Sequence, residues 1–119
     1  MDIKALSTDS FARFDLTRVP SPCFVVDEVA VERNLTILKQ VGDASGAHVL
    51  LALKAFSMFA LAPLVSRYLA GTCASGLYEA RLAREEFGGE VTTYLAGFKA
   101  ADLPEIIRLS DHLIFNSPA

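Results

Sequence analysis

The sequence predicts an α/β protein built on a parallel sheet, and three observations lead there. Short β-rich runs alternate along the chain with stretches of helical apolar spacing. The run Ala47–Leu53 is apolar except for His48, the pattern of a strand covered on both faces. Connections between the runs are short, so each helix carries the chain back and successive strands run parallel. This alternation fits an open doubly wound sheet and part of a (β/α)8 barrel equally well. A closed barrel takes about 250 residues. The chain has 119, so it can supply only part of one.

Residues 1–18 carry weak signals and are expected to form a loosely attached N-terminal arm. Pro20 and Pro22 enforce extended backbone. Cys23–Asp27 then reads as a short strand rich in β-formers. Asp27 can cap a helix whose apolar positions Val29, Leu35, Leu38 and Val41 recur at roughly helical spacing, with Gly42 and Gly46 closing it. After the Ala47–Leu53 strand, Met58–Leu69 predicts a second helix, with Pro63 to be accommodated near its first turns. Gly71–Ala74 is a brief strand, followed by a helix over Leu77–Phe87 whose N-terminus Glu79 can support electrostatically. Gly88 and Gly89 stop that helix. Glu90–Leu95 is a strand, Leu103–Leu109 a short helix with Pro104 in its first turn, and His112–Asn116 a last strand.

Hydrophobic residues make up 52% of the chain, charged residues 21%, and the mean hydropathy is +0.37. A small domain has too little interior to hide that share, so the chain is expected to pack on other protein or to belong to something larger. A strand of buried type at the very end would leave an unpaired sheet edge, which also predicts truncation. Val49–Leu53 and Ala55–Val65 are separated by Lys54 and broken by Ser57 and Pro63, far short of the roughly 20 apolar residues that span a bilayer. Met1–Phe14 lacks the basic start and apolar run of a leader. A cytoplasmic protein without a membrane partner is expected. A net charge of −3 and a pI near 5.3, with no basic run, argue against a nucleic-acid partner. Cys23 and Cys73 lack metal-ligand spacing and are expected to be reduced thiols; no metal site is expected.

Lys54 follows directly on the buried-type strand. Active sites of β/α folds lie at the carboxyl ends of strands, which makes it a candidate by position. A lysine in partly apolar surroundings more readily offers a free amine to an aldehyde, and pyridoxal phosphate is the usual one. From position alone, a lysine marking where the strand reaches water is the commoner case.

The order of short segments adds to this. Ser21–Asp27 resembles the opening strand of the alanine-racemase-like, fold-type III pyridoxal phosphate enzymes, Ala52-Leu53-Lys54 their cofactor-lysine motif, and Cys73-Ala74-Ser75 with Glu79 the next strand and its helix cap. Within that group, Ala52–Ser57, Gly71–Leu82, Phe87–Val91 and His112–Ser117 resemble the carboxynorspermidine (carboxyspermidine) decarboxylase branch. The resemblance runs from about Val19 to the end, in the family's order. It implies that residues 19–119 are part of a pyridoxal-phosphate-binding β/α barrel, with Cys23–Asp27 belonging either to the barrel or to a second domain. It further implies that Lys54 holds the cofactor, that Thr72 and Ser75 contribute to its binding, and that the reaction removes carbon dioxide from carboxynorspermidine or carboxyspermidine in polyamine biosynthesis. Thr72 stands where ornithine-decarboxylase-like relatives carry aspartate, and agrees with the carboxynorspermidine branch. Thr92 or Thr93 stands where many members of that branch carry histidine.

Family members continue through the rest of the barrel and a C-terminal β-domain, and the intact relative is a homodimer. The phosphate-binding glycine loop, the acidic partner of the pyridine nitrogen and the interface residues lie in those parts, so the 119-residue chain by itself is expected to be inactive. Rival readings are another fold-type III decarboxylase acting on diaminopimelate, ornithine or arginine, a non-catalytic truncated barrel, and a small α/β binding domain. Cys73 reads as a buried strand residue more than a catalytic thiol. His48 and His112 open strands at the end away from the expected site. Glu79, Arg81, Arg84, Glu85 and Glu86 read as a solvated helix face. Tyr78 and Phe56 are candidate ring contacts, though aromatics beside strands are more often core.

Overall fold

A computed structural model describes Phe11 and residues 14–118. Helices α1 (Glu28–Ser45), α2 (Ala62–Val65), α3 (Leu77–Leu82) and α4 (Leu103–Leu109) alternate with strands β1 (Leu50–Ala52), β2 (Gly71–Ala74), β3 (Glu90–Leu95) and β4 (His112–Phe115). The strands form one sheet in the order β1-β2-β3-β4, and all three pairings are parallel. A doubly wound sheet reverses its strand order at a switch point; over these strands there is no reversal. Sequential order with helical crossovers is how a β/α barrel is built.

Side chains alternate between the two faces of a strand, and registered partners share a face. Thr72 pairs with Leu51 and Val91, and Ala74 with Thr93. This is the helix-covered face. Val91 joins Leu35 of α1, Ala62, Leu64 and Val65 of α2, and Ala83 and Phe87 in one buried cluster, and Ala74 joins Ala80 and Leu109 in a second. The opposite, inner face carries Leu50 and Ala52 of β1, Gly71 and Cys73 of β2, Glu90, Thr92 and Tyr94 of β3, and His112 and Ile114 of β4.

Asp27 caps α1 as expected, its carboxylate accepting the Ala30 N–H at 3.0 Å, and Gly46 ends the helix at φ 71°. Only Leu35 of that helix is buried; of the other expected core positions, Val29 is 78% and Val41 56% exposed, and Leu38 is also exposed. The helix leans Val31 and Leu35 on the sheet and leaves the rest of its apolar side uncovered.

Cys23–Asp27 is not a strand. A strand needs a neighbour for its backbone groups, and among the described residues no strand pairs with this segment: Phe24 is 98% exposed. The second helix is shorter than expected. A 3₁₀ turn at Phe59–Leu61 leads into a four-residue α2, with Pro63 in its first turn, and turns carry the chain on to β2. The helix after β2 runs to Phe87 as expected, but its last part, Ala83–Phe87, widens into a π-helix. The expected arm, residues 1–18, lies largely outside the described residues; its end is a 3₁₀ turn, Leu16–Arg18, capped by Asp15.

Arg81 and Arg84 do more than face solvent. The Arg81 guanidinium makes two 2.8 Å bonds to Glu105 of α4. Arg84 donates to the Leu109 carbonyl at 2.8 and 3.0 Å and to Asp111 Oδ2 at 2.9 Å, tying the π-helix to the end of α4. Tyr78 is 80% exposed, outside any core, with Arg81 5.7 Å from its ring centre.

Candidate functional site

Lys54 sits in the turn that leaves the carboxyl end of β1. The Leu53 N–H still bonds to the Cys73 carbonyl at 3.0 Å, continuing the ladder. The Ala55 and Phe56 N–H groups then fold back onto the Ala52 carbonyl at 3.0 and 3.2 Å, which turns the chain sharply at Lys54. Leu53 is 2% exposed on the helix side and Lys54 is exposed. Leu53 is the last residue held in the ladder, so Lys54 stands at the carboxyl end of the sheet, beside β2.

Ser75 occupies the equivalent place two residues beyond Cys73, where β2 gives way to α3. Its N–H donates to Glu79 Oε2 at 2.7 Å. A carboxylate from the first helical turn thus reaches back to the chain ahead of the helix, as in the reciprocal half of a capping box. The expected support from Glu79 is a specific hydrogen bond, and it fixes the loop beside Lys54.

Thr72 is a correction. Its registered neighbours Leu51 and Val91 place it on the helix-covered face, where it lines a cavity of about 70 Å³ with Val65, Leu69 and Phe87. It is 1% exposed, and its Oγ1 has no hydrogen-bond partner. Alternation explains the difference: Cys73 faces inward and Thr72 faces the helices. The same rule separates Thr92 from Thr93. Thr92 faces inward, whereas Thr93 Oγ1 pairs with Ser110 Oγ at 2.7 Å on the helix side.

The register brings together two layers on the inner face. Ala52, Cys73, Thr92 and His112 are paired in sequence across the sheet. One step nearer the carboxyl ends Tyr94 and Ile114 are a registered pair, and Lys54 and Ser75 lie just past the ends of β1 and β2. This end of the sheet therefore brings a primary amine, an alcohol and a phenol. The last inner-face residues of β1 and β2 are the small Ala52 and Cys73. Lys54 with this donor set fits a ligand bearing an aldehyde and an aromatic ring, the features of pyridoxal phosphate. Tyr94 was not singled out from the sequence; counting in twos from a lysine-bearing strand end would have reached it.

A second polar cluster gathers on Glu90, toward the amino ends of the strands. His48 Nδ1 lies 2.7 Å from Glu90 Oε2, His112 Nε2 3.7 Å from Glu90 Oε1, and Thr92 Oγ1 donates to Glu90 Oε1 at 3.2 Å. The His48 hydrogen bond, with help from Thr92 and His112, holds the Glu90 carboxyl below the usual carboxylate range. The histidines, expected at this end, thus meet on Glu90. A cavity of about 460 Å³ also opens at this end, lined by Lys39, Asp43, His48, Arg67 and Tyr68. Its Lys39 pairs with Asp43 at 2.9 Å and its Arg67 with Glu32 at 3.5 Å, and His48 is hydrogen-bonded to Glu90. Among the described residues no group of three or more His, Cys, Asp or Glu is arranged to hold a metal ion. Nor is any helix there long and apolar enough to cross a membrane. Cys23 and Cys73 are free thiols.

No protein-family profile matches the chain. It is 46% identical over 102 residues to a carboxyaminopropylagmatine decarboxylase of Synechocystis sp., covering 86% of this chain and 26% of that protein. It is 39% identical over 99 residues to a carboxynorspermidine/carboxyspermidine decarboxylase of Herminiimonas arsenicoxydans, covering 83% of this chain and 27% of the relative. The crystal structure of carboxynorspermidine decarboxylase from Campylobacter jejuni, complexed with norspermidine, superposes with a TM-score of 0.80 at 40% identity, over 83% of this chain and 27% of that one. The chain therefore spans about a quarter of the length of the curated relatives it matches.

Proposed function

We infer that this chain, a homologue of the carboxynorspermidine/carboxyspermidine decarboxylases over most of its length, carries the cofactor lysine of a pyridoxal-phosphate-dependent decarboxylase of polyamine biosynthesis. The observation that carries this reading is Lys54, exposed at the carboxyl end of a parallel strand, in a chain whose relatives are decarboxylases. Residues 19–119 form part of the barrel that holds the cofactor, in an enzyme that works as a cytoplasmic homodimer. The substrate class is an α-amino acid with a polyamine tail. The 46% identity to the Synechocystis protein extends that class from carboxynorspermidine and carboxyspermidine to carboxyaminopropylagmatine.

The residues divide the work by position. Lys54 presents its amine where a carbonyl can reach it, held there by the turn that folds Ala55 and Phe56 onto Ala52. Ser75, its loop fixed by Glu79, offers a hydroxyl to the same ligand. Thr72 backs β2 from the helix side and makes no ligand contact. Pyridoxal phosphate held by Lys54 would supply an electron sink for loss of the substrate's carboxylate. Four strands wall one side of Lys54, and a barrel encloses its site with eight, so the 119 residues alone are proposed not to turn over substrate.

The test is borohydride reduction with pyridoxal phosphate, followed by peptide mass mapping. A phosphopyridoxyl group on Lys54, absent from Lys54→Ala, is the expected result. Modification spread evenly over Lys39, Lys54 and Lys99 would overturn the reading.

A further inference from the structure

Of the three tyrosines in the chain, two have duties away from the inner face. Tyr68 donates to Glu32 Oε1 at 2.7 Å, and Tyr78 stands on the surface beneath Arg81. Tyr94 is different. It belongs to the inner face of β3, toward the end of the sheet where Lys54 and Ser75 lie, and it is 38% exposed although β3 is a middle strand. Its hydroxyl donates to Asn116 Oδ1 at 3.4 Å, the inner-face position just beyond the end of β4.

β1 and β3 are separated by β2 alone, so the backbone at Lys54 and at Tyr94 is two strand spacings, about 10 Å, apart at the same end of the sheet. Between them β2 carries Cys73 on the inner face, and Ser75 follows the end of that strand. A lysine and an aromatic side chain at this backbone separation, with small residues between them, can both reach one planar ring.

We propose that Tyr94 is a binding residue for the ring of the cofactor held at Lys54, forming the wall of the slot opposite the lysine, with Asn116 orienting its phenol. The proposal rests on the cofactor reading of Lys54 and adds to it a residue and a geometry. Aromatic rings attract one another edge-to-face or in offset stacks by about 0.5–1.5 kcal/mol beyond the area they bury. Phe at 94 keeps that ring contact and loses only the link to Asn116, whereas Ala loses both.

The chain has no tryptophan, so its intrinsic emission comes from its three tyrosines, and the difference between wild type and Tyr94→Phe isolates the share of Tyr94. Pyridoxal phosphate is titrated into wild-type protein, Tyr94→Phe, Tyr94→Ala, Tyr78→Phe and Lys54→Ala, following absorbance, tyrosine emission and the borohydride-fixed mass, with circular dichroism confirming the fold of each. Tyr94→Ala is expected to raise the apparent Kd about two- to tenfold, and Tyr94→Phe to keep near wild-type affinity. Quenching of tyrosine emission by the cofactor should fall in Tyr94→Phe and persist in Tyr78→Phe. If Lys54 is modified in a Lys54-dependent way but quenching and affinity do not respond to Tyr94, the Tyr94 proposal fails and the lysine reading stands. If the adduct does not depend on Lys54, both fail.

Discussion

Asp111 is the point where three elements are tied, and its removal has a calculable cost. Its Oδ2 accepts the N–H of Val91 at 2.8 Å, while its own N–H donates to the Val91 carbonyl at 2.8 Å, joining the start of β4 to β3. The same oxygen takes the Arg84 guanidinium at 2.9 Å. Asp111→Ala strips the partner from an amide of a residue with 0% exposure, a loss of about 1–3 kcal/mol. The ion pair, with side chains 37% and 46% exposed, adds only about 0–1 kcal/mol. The expected total is about 2 kcal/mol, or roughly 8 °C in Tm for a chain of this size. Asp111→Asn keeps an acceptor oxygen and is expected to cost about half as much. The Val91 hydrogen bond first, and Arg84 second, hold the Asp111 carboxyl below the usual range. Its stabilising contribution is therefore present above the unfolded-state value near 3.9 and lost as pH falls through the lower folded-state value. Asn at 111 should remove that part of the acid sensitivity. Urea denaturation followed by circular dichroism, run at pH 7 and at pH 3–4, measures both effects. An Asp111→Ala protein within about 0.5 kcal/mol of wild type would refute the reasoning.

Two other substitutions probe the sheet. Gly71→Ala sets a Cβ into the Glu90 backbone of the neighbouring strand, and since backbone cannot yield as a side chain can, a loss of about 3 kcal/mol or more is expected; a thermal melt that does not move would mean the β2–β3 register is different. Thr72→Val replaces a buried, unpartnered hydroxyl with a methyl of similar shape. It should stabilise by about 1 kcal/mol and leave cofactor binding unchanged, whereas a weakened cofactor affinity would return Thr72 to the site.

The parallel sheet, three of the five expected strands at nearly their observed bounds, the capped first helix and the position of Lys54 were all legible in the chain. Each rests on local signals: β-rich runs such as Glu90–Leu95, an Asp27 cap, a glycine stop, and a lysine where an apolar run ends. Cys23–Asp27 was misread because strand propensity is a statement about a residue run, and a strand exists only when another backbone is there to receive its hydrogen bonds. The apolar spacing of α1 predicted a buried face, but how much of that face is covered depends on what packs against it, and only Leu35 is sealed. Cys73 or Thr72 could each have been the residue beside Lys54, since adjacent residues in a strand look alike in sequence and point to opposite faces. Register settles which way each strand residue faces: Ala52 pairs with Cys73 and Cys73 with Thr92, which turns Thr72 toward the helices. What sequence alone determined was therefore the order of elements and the presence of a lysine at the end of β1. Tertiary structure decided which side chains share that end, because the pairing between strands is made of backbone bonds that no single residue type specifies.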